Sequence, residues 1–198
     1  RLELEQLEPG LQVPFLNMTG TSMQVQYAKT ARPVPVNALA RSRLFEFLDS
    51  AVSRPMVWIS APPGSGKTTL VADYLSHRPM DTIWYQVDSS DADPATFFYF
   101  VSQAIQQRGA KGDPLPLLAP ENLADLEGFT RRYLRDLCNR LRAPFAIVLD
   151  NFQDGAEASA LKTLLQAALS EVPTGGCVFV VGRSGPPAAG PAGAAPTG

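Results

Sequence analysis

The residues with the clearest chemical potential lie in a glycine-rich segment, residues 61–70, with the sequence APPGSGKTTL. The β- and γ-phosphates of a nucleotide carry concentrated negative charge, which consecutive backbone N–H groups at the start of a helix can surround. Gly64 and Gly66 let the backbone approach closely and adopt conformations that other residues rarely reach. Lys67 would then contact the β- and γ-phosphates, and the Thr68 hydroxyl would bind Mg²⁺. The segment predicts a phosphate-binding loop (P-loop).

The segments around this loop have the order that phosphate binding requires. Residues 56–60, MVWIS, are a short apolar run typical of a buried strand, and apolar residues recur after the loop at helical spacing: Leu70, Val71, Tyr74 and Leu75. Ala61 stands where the consensus has its first glycine, and it is small enough for the turn. The alternative is a glycine-rich turn that only happens to precede Lys-Thr, but the order of strand, loop and helix favours phosphate binding.

A second candidate residue ends the apolar run of residues 145–150, FAIVLD. In a parallel sheet this strand end and the P-loop lie at the same edge, so Asp150 can face Thr68 across Mg²⁺. Many hydrolysing relatives of P-loop proteins have a second acid where Asn151 stands. Because an amide cannot accept a proton from the attacking water, we expect hydrolysis to be slow or to use another group such as Asp154.

Arg183 is a third candidate, because it follows the apolar run of residues 177–181. An arginine at that strand end can contact the γ-phosphate and so distinguish a triphosphate from a diphosphate. The alternative is a solvated arginine at a strand terminus, and the spacing alone does not decide between the two.

Two charged clusters have structural explanations. Asp88, Asp91 and Asp93 invite a Ca²⁺ hypothesis, but the segment lacks the glycine and the distal glutamate of an EF-hand, which favours helix capping and turn formation. A solvated helix face is likewise favoured over nucleic-acid contact for three arginines opposite an apolar stripe: Arg131, Arg132 and Arg135.

The elements that position these residues alternate along the chain. Apolar and β-branched runs predict strands at residues 56–60, 82–87, 145–149 and 177–181, and helical patterns lie between them. This alternation predicts an α/β fold with a mostly parallel sheet. The helix before the P-loop strand is predicted to start at Asn37 and to carry a stripe of five apolar residues: Leu44, Phe47, Leu48, Ala51 and Val52.

Length and composition limit the number of domains and the kinds of partner to expect. The 198 residues, 45% of them apolar, suffice for one α/β domain, expected at residues 31–184, after an arm of unknown role at residues 1–30. Residues 185–198, almost entirely Gly, Ala and Pro, are expected to be a disordered tail. A net charge of −2 gives no general reason to expect nucleic-acid binding, and no apolar run is long enough to cross a membrane. Cys138 and Cys177 are expected to be buried thiols in a reducing cytoplasm.

Five segments, taken in order, resemble one family: RPVPV with ARSRLFEFL, APPGSGKTTL, IWYQVDSSDADPATFF, FAIVLDNFQ and VFVVGRS. They are similar to the signal-transduction ATPases with numerous domains (STAND), and specifically to the nucleotide-binding domain of MalT-like, LuxR-family transcriptional regulators. The resemblance covers residues 31–184. It implies a three-layer P-loop NTPase fold of the ASCE type with sheet order 5-1-4-3-2. The chain would stop before the fifth strand, so the P-loop strand would be an unpaired edge and the piece less stable than a full domain, unless residues 1–30 cover that edge.

The resemblance also implies a set of site residues. ATP or ADP with Mg²⁺ would be bound by Pro63, Gly64, Ser65, Gly66, Lys67, Thr68, Thr69 and Arg183. Thr68 and Asp150 would hold the metal, with Asp150 as the Walker B acid, Arg183 as the sensor arginine, and Lys67, Asp150 and Arg183 as the catalytic set. Residues 32–43 would lie near the adenine. The family usually has an acid at the position of Asn151 and Ser or Thr at that of Gly182.

The function implied is an ATP-binding switch of a transcriptional regulator, with slow hydrolysis, homo-oligomerisation in the ATP state and no membrane partner. DNA contact would come only through domains absent from this sequence. Two alternatives stay open: a catalytic P-loop ATPase or small-molecule kinase, and a degenerate scaffold for protein interaction. No Glu follows Asp150 and no Arg-rich lid segment is evident, which argues against the first, while the intact Lys67-Thr68 pair argues against the second.

Overall fold

A computed structural model of the chain describes residues 15–16, 25–26, 28–35, 41–109, 113–155 and 159–186. The strands are β1 (Phe15–Leu16), β2 (Val25–Gln26), β3 (Met56–Ser60), β4 (Asp81–Gln86), β5 (Phe145–Asp150) and β6 (Gly176–Gly182). The α-helices are α1 (Ser42–Ala51), α2 (Lys67–Ser76), α3 (Pro94–Gln107), α4 (Leu126–Arg140) and α5 (Ser159–Glu171).

Four of the strands form one parallel sheet in the order β3-β6-β5-β4, and β1 and β2 form a separate antiparallel pair. The order of the four parallel strands agrees with the arrangement that the resemblance implied. The register pairs Ser60 with Gly182 and Gln86 with Asp150. The carboxyl ends of all four strands therefore meet at one edge of the sheet, where the predicted site residues lie.

Helices cover both faces of this sheet and make the three layers of a P-loop NTPase. On one face, α1 and α2 pack on strand residues that include Val57, Ala146 and Phe179. On the other face, α3, α4 and α5 pack on residues that include Tyr85, Ile147 and Val180. β5 is buried at every position, because it is central and covered on both sides.

Helix α1 differs from its prediction. Asn37 lies outside the described residues, and the described helix begins at Ser42. Leu48 is buried as predicted, but Leu44 and Phe47 are 42% and 67% exposed. Phe45 packs instead, with its ring 5.5 Å from that of Tyr74. The helix lies on α2 at the margin of the layer, so only a narrow stripe, rotated from the predicted one, is covered.

The two flanks of the sheet differ. On the flank of β4, the short 3-10 turn Ala28–Thr30 packs against β4 and α3. In the described part of the chain, β3 on the other flank has only β6 as a neighbour. Coverage of β3 by residues 1–30 is one of two predicted alternatives, and this turn does not provide it. Most of residues 1–27 lie outside the described residues, as do residues 187–198 of the predicted tail. Within the described ranges, no helix is long and apolar enough to span a bilayer.

Candidate functional site

The P-loop connects the end of β3 to the first residue of α2. Gly64 and Gly66 have φ angles of 76° and 79°, in the left-handed region where other residues are strained, and Gly66 is the N-cap of α2. A Cβ atom on Gly66 would lie 3.0 Å from the guanidinium of Arg41. The φ angles at both positions favour glycine, and the loop leads directly into the N-terminus of α2, which is the backbone geometry of an anion site.

Lys67 is folded back over this loop. Its ammonium donates to the carbonyl oxygens of Ala61, at 2.7 Å, and Pro62, at 2.9 Å, and to the Ser65 hydroxyl at 3.4 Å. These partners are all neutral, and the side chain is only half-buried. Phosphate oxygens would form stronger bonds to the same ammonium, because both partners would then be charged.

Thr68 and Asp150 meet across the edge of the sheet. The Thr68 hydroxyl donates to Asp150 Oδ1 at 2.9 Å, and the Asn151 N–H donates to the same oxygen at 3.0 Å. Asp150 is 3% exposed, and burial raises the pKa of its carboxyl despite these hydrogen bonds and the nearby Lys67. A buried carboxylate beside a hydroxyl is an oxygen donor set that suits Mg²⁺.

Arg183 leaves the end of β6, between the P-loop strand and β5, with its side chain exposed. Its backbone N–H donates to the side-chain Oε1 of Gln153 at 3.1 Å, and the Gln153 amide donates to Asp154 at 3.1 Å. Sequence reasoning missed Gln153. A Cβ on Gly182 would lie 3.3 Å from Gln153 Oε1, so a glycine at this position leaves room for this contact.

Two arginines of the region predicted to lie near the adenine, residues 32–43, have partners near opposite ends of α2. Arg41 donates to the carbonyl oxygen of Ser65 in the P-loop at 3.3 Å. Arg32 donates to the carbonyl oxygen of Leu75, near the opposite end of α2, at 3.4 Å. Of these two arginines, Arg41 is the one at the P-loop.

Comparison with known proteins agrees with this arrangement: a family model described as an AAA domain matches residues 51–185. The chain belongs to this family. It is 29% identical over 168 residues, or 81% of its length, to the HTH-type transcriptional regulators MalT of Vibrio cholerae serotype O1 and Vibrio campbellii. It is 36% identical over 81 residues to MalT of Vibrio parahaemolyticus serotype O3:K6, which is 40% of this chain and 9% of that protein. The chain is a MalT-like P-loop NTPase domain, and it spans 18% of the length of the first two relatives.

The acids of the turn after β4 cap helices in this AAA domain, as predicted. Asp88 accepts a hydrogen bond from the N–H of Ser90 at 2.8 Å, and Asp93 accepts one from the N–H of Ala95 at 3.0 Å at the start of α3. Asp91 has a further partner, Lys29, which sequence reasoning did not find because it is 62 residues away.

The arginines of α4 form ion pairs on the outside of the AAA domain. Arg135 contacts Glu171 of α5 at 2.9 Å, Arg131 contacts Glu127 at 3.4 Å, and these arginine side chains are 61% and 46% exposed. Arg132 lies 3.7 Å from Asp125. The sequence predicted a solvated helix face here, and the structure adds its ion pairs.

Proposed function

We propose that this AAA domain is an ATP-binding switch within a transcriptional regulator, and that it hydrolyses ATP slowly. The observation that carries the proposal is the contact between Thr68 and Asp150 at 2.9 Å, at the first turn of the helix that follows the P-loop. Two residues 82 positions apart are brought together where a metal bound to phosphates would need a hydroxyl and a carboxylate.

The residues of the loop would share the work of binding. Lys67 would exchange the carbonyl oxygens of Ala61 and Pro62 for phosphate oxygens, and Thr68 and Asp150 would turn from each other toward Mg²⁺. The metal, when bound, neutralises phosphate charge. The other phosphate contacts would come from Pro63, Gly64, Ser65, Gly66 and Thr69, chiefly through backbone N–H groups at the positive end of α2.

Three residues beyond the loop support a switch over a fast enzyme. Asn151 holds Asp150 through its backbone N–H, at 3.0 Å, but its amide side chain cannot act as a base. Arg183 would contact the γ-phosphate, and Gln153 would link that contact to the turn after β5. We propose that the triphosphate and diphosphate states differ through these contacts, and that the triphosphate state self-associates. DNA contact would belong to other parts of a longer protein.

Calorimetric titration of ATP, with and without Mg²⁺, tests this function on the wild-type chain and on Lys67→Ala. Arg54→Ala is the matched control, because Arg54 is an exposed cation before β3, at the other end of the strand from the P-loop. We expect saturable binding that Mg²⁺ strengthens, that Lys67→Ala abolishes and that Arg54→Ala retains.

Phosphate release over hours then separates a switch from a catalyst. Little or no turnover by a chain that binds ATP supports the switch, and rapid turnover indicates a catalytic ATPase instead. Absence of any nucleotide binding by the wild-type chain would leave a P-loop with only a structural role.

A further inference from the structure

Lys29 is a buried lysine that lies far from the P-loop in sequence. Its side chain is 1% exposed, and its ammonium lies 2.7 Å from Asp88 Oδ1 and 3.0 Å from Asp91 Oδ2. The Ser90 hydroxyl accepts a third bond at 3.0 Å. The same ammonium lies 5.2 Å from the centroid of the Tyr85 ring. One residue of the N-terminal turn thus holds the whole turn after β4.

The balance of charge explains why this contact must stay intact. Asp91 is 1% exposed, accepts a hydrogen bond from the Tyr85 hydroxyl at 2.5 Å and accepts another from the Asp88 N–H at 2.9 Å. Without Lys29, a buried carboxylate and a half-buried one would lie within one turn with no cation between them. An uncompensated buried charge is strongly unfavourable, so the turn would have to open toward water.

The turn that Lys29 holds is in contact with the candidate nucleotide site. Ser89–Ala92 packs against the turn Phe152–Gly155, which follows Asp150 and includes Gln153. The Val87 N–H, directly before the acidic turn, donates to the carbonyl oxygen of Asp150 at 2.8 Å. Opening the acidic turn would therefore remove packing from the turn that directly follows Asp150, and would loosen the chain next to the Val87–Asp150 backbone bond.

We infer that Lys29 is a positioning residue for the Mg²⁺ side of the nucleotide site. It neutralises Asp88 and Asp91, keeps the acidic turn closed against Phe152–Gly155, and so holds Asp150 opposite Thr68. This inference rests on the proposed function. The segment before the P-loop domain then helps to position the site, because a displacement of residues 28–30 would be transmitted to Asp150 through two packed turns, Ser89–Ala92 and Phe152–Gly155.

The test compares the wild-type chain with Lys29→Met, which keeps the length of the side chain and removes its charge. Arg78→Met is the matched control, because Arg78 also pairs with an aspartate, Asp49, that accepts a bond from a tyrosine hydroxyl, and it lies at the far end of α2. Asp88→Asn is a milder variant: Asp88 is 38% exposed, and Lys29 keeps Asp91 as its partner.

The first readout is amide hydrogen exchange of the nucleotide-free proteins. We expect Lys29→Met to speed exchange in residues 88–92 and 150–155, Asp88→Asn to do so to a smaller extent, and Arg78→Met to leave both segments unchanged. Unchanged exchange of residues 150–155 in Lys29→Met, with exchange of residues 88–92 raised, would overturn the inference, because the acidic turn would then open without reaching Asp150. This readout stands even if the wild-type chain binds no nucleotide.

The second readout is the ratio of ATP affinity with Mg²⁺ to affinity without it. Loss of a residue that supports a metal ligand typically costs 10- to 100-fold in metal affinity, so we expect Lys29→Met to lower this ratio by roughly tenfold. The Mg²⁺-free affinity, set by the P-loop, should be retained. A ratio equal to that of wild type in folded Lys29→Met and in Asp88→Asn would refute the inference while the proposed function stood.

Discussion

Asp150 is a buried acid, and its burial disfavours the ionised form of the carboxyl. Burial raises the pKa of its carboxyl above the ordinary 3.8, so the folded state holds a proton more tightly than the unfolded state does. The free energy of unfolding of the nucleotide-free protein therefore falls as the pH rises above 3.8. The ionised carboxylate remains destabilising at neutral pH. In the proposed function, Mg²⁺ bound at Asp150 would offset that cost.

Asp150→Asn should therefore separate stability from binding. The amide oxygen can still accept from Thr68 and Asn151, so we expect a melting temperature above that of wild type at pH 7, without nucleotide. The difference should vanish as the pH falls below 3.8. The strengthening of ATP binding by Mg²⁺ should drop by about tenfold or more. A lower melting temperature that does not change with pH would contradict this account.

Gly182 and Gln153 lie close together at the site, and substitutions at the two positions should have related effects. In Gly182→Ser the new Cβ would lie 3.3 Å from Gln153 Oε1, and the side chain that accepts the Arg183 N–H would have to move. A lost hydrogen bond of this kind is worth about 1 kcal/mol, so we expect the ratio of ATP to ADP affinity to fall between about twofold and tenfold. Gln153→Ala should give the same change, and the double variant no further change, whereas additive effects would show that the two residues act independently.

Among the helices and strands, sequence patterns predict the features that depend on residues close together in the chain. β3 and β6 lie within one residue of their predicted bounds, because apolar runs are signals carried by neighbours in sequence. The acid Asp93, predicted to cap a helix, lies at the start of α3 for the same reason. The buried face of α1 and the pairing of Lys29 depend on which distant elements lie nearby. Leu44 and Phe47 fit a helical stripe but face water, and Lys29 finds its acids 59 to 62 residues later, where no periodicity indicates them.

The start of β6 gives a prediction for a whole strand. Gly176 is buried, and a Cβ there would lie 2.3 Å from the ring of Phe145, itself only 1% exposed at the start of β5. Because that ring is enclosed, Gly176→Ala should force the two strands apart and lower the free energy of unfolding by about 1–3 kcal/mol. Urea denaturation checks this against Gly185→Ala, where a Cβ meets nothing within 4 Å and the loss should be near zero. Equal stability of the two variants would mean that the ring gives way easily.

At the scale of the molecule, the two flanks of the sheet are finished differently. Lys29 ties the N-terminal turn to the flank of β4, whereas β3 has no second strand partner among the described residues. Beside β3 lies a groove of about 710 Å³, lined chiefly by Met56, Trp58, Phe152, Leu165 and Leu169. An unpaired strand next to an apolar groove has the features of a surface that can pair with another chain, and we predict that a second copy of this chain binds there.

Self-association through this flank can be tested on one leucine of α5. Leu169 is 61% exposed in the groove, so Leu169→Lys places a charge in the contact without disturbing the core. Sedimentation velocity over a concentration series, with ATP and Mg²⁺, should show association of the wild-type chain that Leu169→Lys weakens several-fold. Leu117→Lys is the matched control, because Leu117 is 55% exposed in the loop before α4, away from the groove, and should leave association unchanged. Equal weakening by both substitutions would show that the added net charge, not the groove, causes the effect. A wild-type chain that stays monomeric at every concentration would mean that the open edge of β3 is too short to bind a second copy.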